Sequence, residues 1–347
     1  MAEAEAVKVG ILVDHPAAGR DSTGILKVAV ADVAATGRLD RPITFVVEEG
    51  LGLPGGTAAA VEAAFARLVD QDVLAILGPS ITDNGLIARD LADAARVPCI
   101  NWTGADTTRS EWMFHYQVGS LEEEPFVVAR HLHALGHRRV ALVQDRTPIG
   151  QRYASFFEVA TDGLGIEIVA RARISPVVED LTDVVERLRT QPVDALVYLG
   201  LGVSARPLAV AVGAAGWRVP VFTNSALMFG YMNPSWREGW DGWTYVDAWS
   251  EDNPLLQELL TRFEDAGESP ITLISGYDLG RLIGEAVAGA EHLTRAGIKD
   301  ALERIKLLPA ALGTAGTTMG FGQWERSALK GGFLVLRQWK DGASVRV

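Results

Sequence analysis

The feature that most constrains the fold is a regular alternation of short apolar runs with longer segments of helical periodicity. The stretch 75–110 shows it most fully: an apolar run ends at Gly78-Pro79, a polar turn follows, and a helix with apolar residues spaced near 3.6 leads to a second buried run at Val97-Pro98. Strands that alternate with such helices require right-handed crossovers and a mostly parallel sheet. The stretch therefore predicts a β-turn-α-β unit, with its polar turns at the carboxyl edge of the sheet, where ligands bind.

The alternation occurs twice along the chain. The first series has strands at 7–13, 46–49, 73–77 and 113–118 and helices at 23–35 and 57–71. The second has helices at 123–135, 150–164, 179–190 and 205–215 and strands at 139–143, 167–174, 195–199 and 219–223. Helical patterns at 254–266, 273–293 and 299–307 and a strand at 332–339 follow. The sequence predicts an α/β protein of two doubly wound, Rossmann-like lobes, without a repeat at the level of individual residues.

Composition limits the possible partners. The 347 residues exceed one typical domain, and 48% of them are hydrophobic, which suffices for large cores. A net charge of -12 argues against nucleic acid or an anionic membrane as a partner. No apolar run approaches the roughly 20 residues needed to span a bilayer. The single Cys99 lies in an apolar run and is expected to be a core residue.

The first six residues are acidic and contain no apolar segment of the kind found in secretory signals. We therefore expect a periplasmic or cell-surface protein if a signal has been removed, and a cytoplasmic protein if Met1 is the native start.

One loop suggests an enzyme. Gly200, Gly202 and Ala205 form a G-x-G-x-x-A pattern directly after a strand, as in dinucleotide-binding units. Such a unit also requires an acid at the end of the next strand to hold the ribose, and here that strand ends in Thr223-Asn224. The sequence therefore predicts neither a bound nucleotide nor any other cofactor.

Histidines suggest a metal site only superficially. His131, His133 and His137 are spaced by two and four, but Gly136 interrupts the helix and no cysteine completes a zinc ligand set. No hydrolase elbow and no phosphate-binding loop is present either. We predict no metal and no catalytic residues.

Aromatic residues are concentrated between 229 and 249, in a segment of mostly loop character. They are expected to cover the junction of the lobes or to pack a small core, and one or two could line an apolar pocket. Trp102 is the stronger candidate for a pocket wall, since it lies inside the turn that follows the second strand of the β-turn-α-β unit. The seven residues of the concentration are Phe229, Tyr231, Trp236, Trp240, Trp243, Tyr245 and Trp249.

Gly78-Pro79 with a hydroxyl residue at Thr82, then a helix, Val97-Pro98 and a turn containing Thr103-Gly104-Ala105, resembles the ligand turn of type I periplasmic binding proteins. The nearest resemblance is to the branched-chain amino acid and amide binders of ABC importers, and it covers almost the whole chain in order of elements. It implies two lobes, at 7–119 plus 250–322 and at 120–249 plus 323–347. The chain would cross between them near Gly119, Trp249 and Gly322, and the lobes would close on a ligand in the cleft between them.

The resemblance also implies site residues. In amino-acid-binding relatives the elements matching Thr82 and Thr103-Gly104-Ala105 hold the ligand carboxylate. Where relatives often have a stacking tyrosine and an acid that pairs with the ligand ammonium, this chain has Ile149 and Ala226, so an ordinary α-amino acid is not expected. The candidate ligand-binding residues are Ser80, Thr82, Trp102, Thr103, Gly104, Ala105, Ile149, Gly202, Ala226 and Tyr277.

The expected function is therefore capture of a small, fairly apolar carboxylate or amide by a non-catalytic solute-binding protein, with an ABC permease as its partner. A cytoplasmic ligand sensor of the same fold is one alternative. An enzyme that binds a nucleotide at the Gly200 loop is the other.

Overall fold

The computed structural model describes residues 6–14, 23–53, 55–263 and 270–347. The chain forms two compact units. The first unit comprises 1–118 and 249–333, and the second comprises 119–248 and 334–347. The chain therefore passes from one unit to the other three times, after Val118, Ala248 and Phe333.

The first unit is built on a parallel sheet of five strands in the order β2-β1-β3-β4-β5. The crossover helix α2 buries Val61, Ala64, Phe65 and Leu68 against this sheet, which is the apolar stripe expected from their spacing. The elements are β1 Val7–Val13, α1 Gly24–Ala35, β2 Ile43–Glu49, α2 Ala58–Asp70, β3 Ala75–Leu77, α3 Thr82–Ala95, β4 Cys99–Asn101 and β5 Met113–His115.

The second unit repeats this arrangement, and its first five strands are parallel in the order β7-β6-β8-β9-β10. Strand β8 is buried at every residue, as expected for a central strand covered on both faces. The elements are α4 Glu124–Ala134, β6 Arg139–Asp145, α5 Pro148–Leu164, β7 Glu167–Ile174, α6 Thr182–Leu188, β8 Ala195–Leu199, α7 Ala205–Ala214, β9 Val221–Thr223, α8 Phe229–Met232, α9 Pro234–Arg237 and β10 Thr244–Asp247.

The C-terminal part is divided between the units. The first unit receives α10 Pro254–Arg262, α11 Pro270–Gly289, α12 Arg295–Arg304 and a small antiparallel sheet of β11 Leu308–Pro309, β12 Thr318–Met319 and β13 Leu329–Lys330. The second unit receives the antiparallel strands β14 Val335–Lys340 and β15 Ala343–Arg346, which extend its sheet to seven strands. The predicted end of the helix at 264–266 lies outside the described residues.

The segment 323–333, which the sequence analysis assigned to the second lobe, belongs to the first unit. Strand β13 pairs with β12, the Ala328 N–H donates to the His115 carbonyl at 2.8 Å, and the Leu329 N–H donates to Gln117 Oε1 at 3.1 Å. These bonds attach the segment to the end of β5, so the third crossing follows Phe333 instead of lying near Gly322.

The aromatic concentration is largely the core of the second unit. Trp240 is fully buried and donates its indole N–H to the Ala205 carbonyl at 3.2 Å. Tyr245 stacks on Trp339 with 5.9 Å between ring centroids. The expectation of loop structure was wrong here, because strand β10 and two short helices occupy the segment, whereas packing in a core is confirmed.

Helix α11 contacts α1 through a stripe of glycines spaced by four. Gly276, Gly280 and Gly284 face successive turns of α1, and a Cβ atom at Gly280 would lie 2.7 Å from Ala29 Cβ and 2.8 Å from the Leu26 carbonyl oxygen. The two backbones therefore approach too closely for any side chain at this position.

Gly280→Ala is expected to lower the free energy of unfolding by about 1–3 kcal/mol, because overpacking outweighs the gain in helix propensity. The matched control is Gly289→Ala at the end of the same helix, where a Cβ atom would meet nothing within 4 Å. Urea denaturation followed by circular dichroism measures both. Equal stabilities for the two variants would contradict the close approach.

Candidate functional site

In the first unit the turns after β3 and β4 pack against each other at the carboxyl edge of the sheet. The Trp102 N–H donates to the Pro79 carbonyl at 3.2 Å. A Cβ atom at Gly85 would lie 2.9 Å from the methyl groups of Thr103 and Thr108. The start of α3 therefore packs directly against the turn that follows β4. The structure thus brings together the two turns that the sequence singled out.

Asp14, which follows β1 directly, organises the turn after β3. Its carboxylate is buried and accepts the Ser80 N–H at 3.1 Å, the Ser80 hydroxyl at 2.7 Å, the Ile81 N–H at 2.9 Å and the Asn84 side-chain amide at 2.9 Å. The amide and hydroxyl of Ser80 are therefore engaged within the protein. Ser80 thus has a structural role in the turn, and its contact with a ligand stays a prediction.

Thr103 is likewise engaged internally. Its hydroxyl donates to Asn101 Oδ1 at 2.8 Å, and its carbonyl accepts the His115 Nε2–H at 2.7 Å. Burial lowers the pKa of His115 to about 3, so the ring is neutral, and Nδ1 accepts from Arg109 at 3.1 Å. The proton of the Thr103 hydroxyl is therefore already donated within the protein, and a ligand contact at Thr103 stays a prediction.

Other donors of the two turns remain open. The side chain of Thr82 is 8% exposed, and its hydroxyl has no partner among the described residues. The backbone N–H groups of Thr82, Gly104 and Ala105 have no acceptor within that same part of the chain. Trp102 precedes Thr103 in the same turn and is half-buried. These four candidates are the proposed first half-site, whose open donors can bind an acceptor oxygen.

Asp83, the second residue of α3, was not among the predicted site residues. Its side chain is half-buried and has no hydrogen-bonding or ionic partner in the described ranges. Burial raises the pKa of this carboxyl above its usual value. An acid in the first turn of a helix is stabilised by the helix dipole, which gives Asp83 a structural reason for its position.

In the second unit Asp145, the last residue of β6, takes the place that Asp14 has in the first. Its carboxylate accepts the Leu201 N–H at 2.9 Å, the Ser204 hydroxyl at 3.1 Å and the Tyr198 hydroxyl at 3.1 Å. A Cβ atom at Gly200 would lie 2.2 Å from Asp145 Oδ2, which explains the glycine. The side-chain oxygen of Asn224 accepts the Gly200 N–H at 3.2 Å.

The N–H donors of the Gly200 loop are therefore already hydrogen-bonded to other residues of the chain. The Gly202 N–H donates to the Tyr198 hydroxyl at 3.2 Å, and a ligand contact at Gly202 stays a prediction. A phosphate brought to this loop would meet the carboxylate of Asp145 in place of open amides. A nucleotide is therefore not favoured at this loop, because the negative charges of its phosphate and of Asp145 would repel each other.

Ile149 and Ala226 lie on either side of this loop in sequence. Gly202 has φ +112°, and a Cβ atom there would lie 2.5 Å from the Ala226 carbonyl oxygen, so the loop and the turn after β9 are in contact. Ile149 is the second residue of α5, and the adjacent Gly150 approaches the Asp145 backbone. Both side chains are apolar and buried, and they form the apolar part of the second half-site.

Glu124 is a further residue that sequence reasoning missed. It is fully buried at the start of α4, and its two oxygens accept the N–H groups of Ser120 and Ser225, each at 2.6 Å. The hydroxyls of Tyr153 and Ser225 donate to Oε1 at 3.2 Å. Although this acid lies beside the turn after β9, its acceptors are occupied, so it does not replace the missing ammonium partner.

Tyr277 lies apart from the turns. Its hydroxyl donates at 2.8 Å to Asp32, which also pairs with Arg262 at 2.6 Å. Asp32 is eight residues into α1, about 12 Å along the helix from its start at the carboxyl edge. Tyr277 is thus tied to α1 through Asp32, and its role as a ligand contact stays a prediction.

The three histidines noted in the sequence lie in the last turn of α4 or beyond it. His137 lies beyond the end of α4, and His133 Nδ1 faces the Leu164 carbonyl at 3.1 Å. Within the described ranges no group of three histidine, cysteine or acidic residues is placed to hold a metal ion. No helix in those ranges is long and apolar enough to cross a membrane.

Comparisons with known proteins fit this architecture. The sequence profile of a family described as periplasmic binding protein matches residues 6–340. No curated protein matches the chain by sequence at a significant level. Many solved structures match, and because the sequence identities are low, the likeness informs the fold alone.

Three solved structures illustrate the similarity. The branched-chain amino acid transporter substrate-binding protein LivJ from Streptococcus pneumoniae, in complex with isoleucine, has a TM-score of 0.83 at 18% identity, covering 99% of each chain. An ABC transporter substrate-binding protein from Desulfitobacterium hafniense, in complex with Leu, has a TM-score of 0.81 at 18% identity, covering 99% of this chain and 100% of that one. The leucine-binding protein LivK from Thermotoga maritima has a TM-score of 0.80 at 15% identity, covering 99% and 98%.

Burial raises the pKa of Glu124 from 4.5 to about 7, so the folded protein binds a proton between these values that the unfolded chain releases. The contribution of this group to stability is present below pH 4.5 and is lost as the pH rises through 7. Glu124→Gln should remove this dependence. Urea titrations at pH 5.5 and 8 measure it, with the exposed neighbour changed in Glu123→Gln as control; an unchanged pH dependence in Glu124→Gln would contradict the assignment.

Proposed function

The chain belongs to the periplasmic binding protein family, and from this we propose that it is a solute-binding protein that captures a small, fairly apolar molecule with a carboxylate or amide head group. The proposal includes closure of the two lobes over the ligand as the means of capture. An ABC permease is the proposed partner, and a periplasmic or extracellular location follows from that role.

The open donors of the first half-site carry the proposal. The Thr82 hydroxyl and the N–H groups of Thr82, Gly104 and Ala105 have no partner in the described part of the chain, while the neighbouring donors of Ser80 and Thr103 are engaged. Ligands of open α/β sheets bind at the carboxyl edge, so donors left open there are accessible to a ligand. Their common requirement is an acceptor oxygen, which both a carboxylate and an amide carbonyl provide.

The remaining contacts favour an apolar body over an α-amino acid. The second half-site offers the buried side chains of Ile149 and Ala226, and Trp102 adds an indole in the first. The acid nearest to Ala226 is Glu124, whose oxygens already accept four hydrogen bonds. An ammonium group without a partner would cost several kcal/mol on burial.

A cytoplasmic ligand sensor of the same fold would use the same residues, so binding data alone do not separate it from a transport protein. Neighbouring genes distinguish the two: a permease and ATPases accompany a transport protein, and a regulator accompanies a sensor.

A thermal-shift screen tests the ligand class. Aromatic and alicyclic carboxylates and carboxamides should stabilise the protein more than leucine or valine, because a ligand at 100 times its dissociation constant adds about 2.7 kcal/mol to the free energy of unfolding. Stabilisation by branched-chain amino acids, and by none of the hydrophobic acids or amides, would show that the argument from Ile149 and Ala226 is wrong.

Thr82→Ala should weaken binding of the best ligand from that screen by about 1.5–3 kcal/mol if the ligand is charged, because a hydrogen bond to a charged group is lost. The melting temperature without ligand should change little. Thr261→Ala is the control, since Thr261 is exposed on α10 of the same unit. Calorimetry measures the affinities, and an unchanged affinity in Thr82→Ala removes this residue from the site.

A further inference from the structure

We propose that the first unit carries a second binding site, in a groove that takes a small organic anion with an apolar body. The groove lies at the end of the sheet opposite to the polar turns of the first half-site. The inference goes beyond the proposed function and does not depend on it. The groove has a volume of about 540 Å³, and its lining includes Asp72, Leu74, Arg96, Trp112, Leu293 and Arg295.

The directions of the strands locate this groove, which we call the amino-edge groove. Leu74 directly precedes β3 and Trp112 directly precedes β5, and β3, β4 and β5 are parallel neighbours in one sheet. The groove therefore lies where these strands begin, whereas the turns of Thr82 and Gly104 lie where strands end. A volume of several hundred cubic ångströms is typical of sites for small molecules. A molecule bound here would not compete for the donors of the first half-site.

The start of α12 supplies donors to the groove. Arg295 is the first residue of this helix, and the N–H groups of Arg295 and Ala296 have no acceptor in the described ranges. The guanidinium of Arg295 is held in place, because Nε donates to the Val73 carbonyl at 3.0 Å and Nη2 donates to the Val69 carbonyl at 3.2 Å. Its Nη1 has no acceptor in that part of the chain. A fixed guanidinium at the start of a helix favours an anion, since its charge and the helix dipole act in the same direction.

Trp112 gives a second, independent indication of a ligand, which is needed because water usually accepts from the open N–H groups at the start of a helix. Its side chain is 9% exposed, yet its indole N–H donates to no acceptor among the described residues. The indoles of Trp240 and Trp339 are also buried, and they donate to carbonyls at 3.2 and 3.3 Å.

The indole N–H of Trp112 can be reached from the surface. Among the described residues, the one fully enclosed side-chain nitrogen or oxygen without a partner is the Thr317 hydroxyl, so the indole nitrogen of Trp112 is not enclosed. Buried polar groups in proteins are nearly always paired, and Trp112 lines the groove. An acceptor atom of a molecule in the groove would complete this pairing.

The other lining residues define the ligand class. Arg96 is exposed, and its side chain has no partner in the described ranges. The lining holds two arginines against one acid, Asp72, so its net charge is positive. Leu74 and Leu293 add half-buried apolar surface. An anionic head group would meet the guanidinium groups and the indole N–H, and an apolar body would cover the leucines. Carboxylate, sulfonate and phosphate groups share this head-group chemistry.

NMR spectroscopy of the ¹⁵N-labelled full chain tests the proposal, because each of the nine tryptophans gives one indole N–H signal. Trp112→Phe identifies the signal of Trp112, and Trp102→Phe identifies that of Trp102 in the first half-site. The compounds are 1-naphthoate, 1-naphthalenesulfonate and 1-naphthyl phosphate, with neutral 1-naphthalenemethanol as control. At least one of the anions should shift the Trp112 signal with saturation, and the neutral alcohol should bind about tenfold more weakly than that anion.

Three variants make the result specific to the groove. Arg96→Asn should weaken binding of the tightest anion about fivefold, as expected for one exposed ion pair, and Asp72→Asn should strengthen it by a similar factor. Asn suits both positions, because residues 72 and 96 have φ of +57° and +50°. Arg304→Asn is the control, since Arg304 is exposed at the last residue of α12, outside the groove. It changes the net charge as Arg96→Asn does and should leave the affinity unchanged.

The outcomes that overturn the inference are distinct from a failure of the proposed function. If the anions shift the Trp102 signal and leave that of Trp112 in place, they bind at the first half-site, which overturns the inference and supports the proposed function. The inference is also wrong if no anion shifts the Trp112 signal at millimolar concentration, or if the neutral alcohol binds as tightly as the anions. Equal weakening by Arg96→Asn and Arg304→Asn would overturn it as well, because the effect would then come from net charge alone.

Discussion

The carboxyl edges of both units depend on one interaction, in which an aspartate at the end of the first strand accepts backbone N–H groups from the loop after the neighbouring strand. Asp14 does so for the loop after β3, and Asp145 does so for the loop after β8. Asp14 also accepts from the side chain of Asn84, and Asp145 also accepts from those of Tyr198 and Ser204. Buried charge-assisted bonds of this kind fix the loop before a ligand arrives, which lowers the entropy cost of binding.

The same interaction separates structural donors from functional ones. In the first unit Asp14 accepts the donors of Ser80, whereas the donors of Thr82 stay open. In the second unit Asp145 accepts the Leu201 N–H of the glycine loop that resembles a nucleotide site. A glycine-rich loop is thus compatible with a purely structural role, since the small residues make room for the carboxylate of Asp145. The donors that remain open in the first unit, within the described ranges, are those of Thr82, Gly104 and Ala105.

Much of the fold could be predicted because periodicity is a local property. Strand β7, for example, has the predicted bounds, and most helices agree to within a few residues. The two-residue strands β11 to β13 could not be predicted, since they exist only through pairing with each other and carry no alternation of their own. The two polar turns were predicted at the carboxyl edge of the sheet, where the structure has them, but the hydrogen bonds of Ser80 and Thr103 depend on partners that only folding brings close. Asp14 and Asn84 are 70 residues apart in sequence.

The glycine stripe of α11 also bears on the order in which the protein forms. Helix α1 packs against a helix about 250 residues later in the chain, and the glycines allow the two backbones to approach closely. During synthesis the ribosome must therefore release nearly the whole polypeptide before the first unit can bury that face of α1. The central segment 119–248 emerges earlier, but its sheet and core are completed only by β14 and β15, which follow the whole of the first unit in the chain. The second unit is thus the later one to be completed, and the face of α1 that contacts the glycines stays uncovered until α11 has been released.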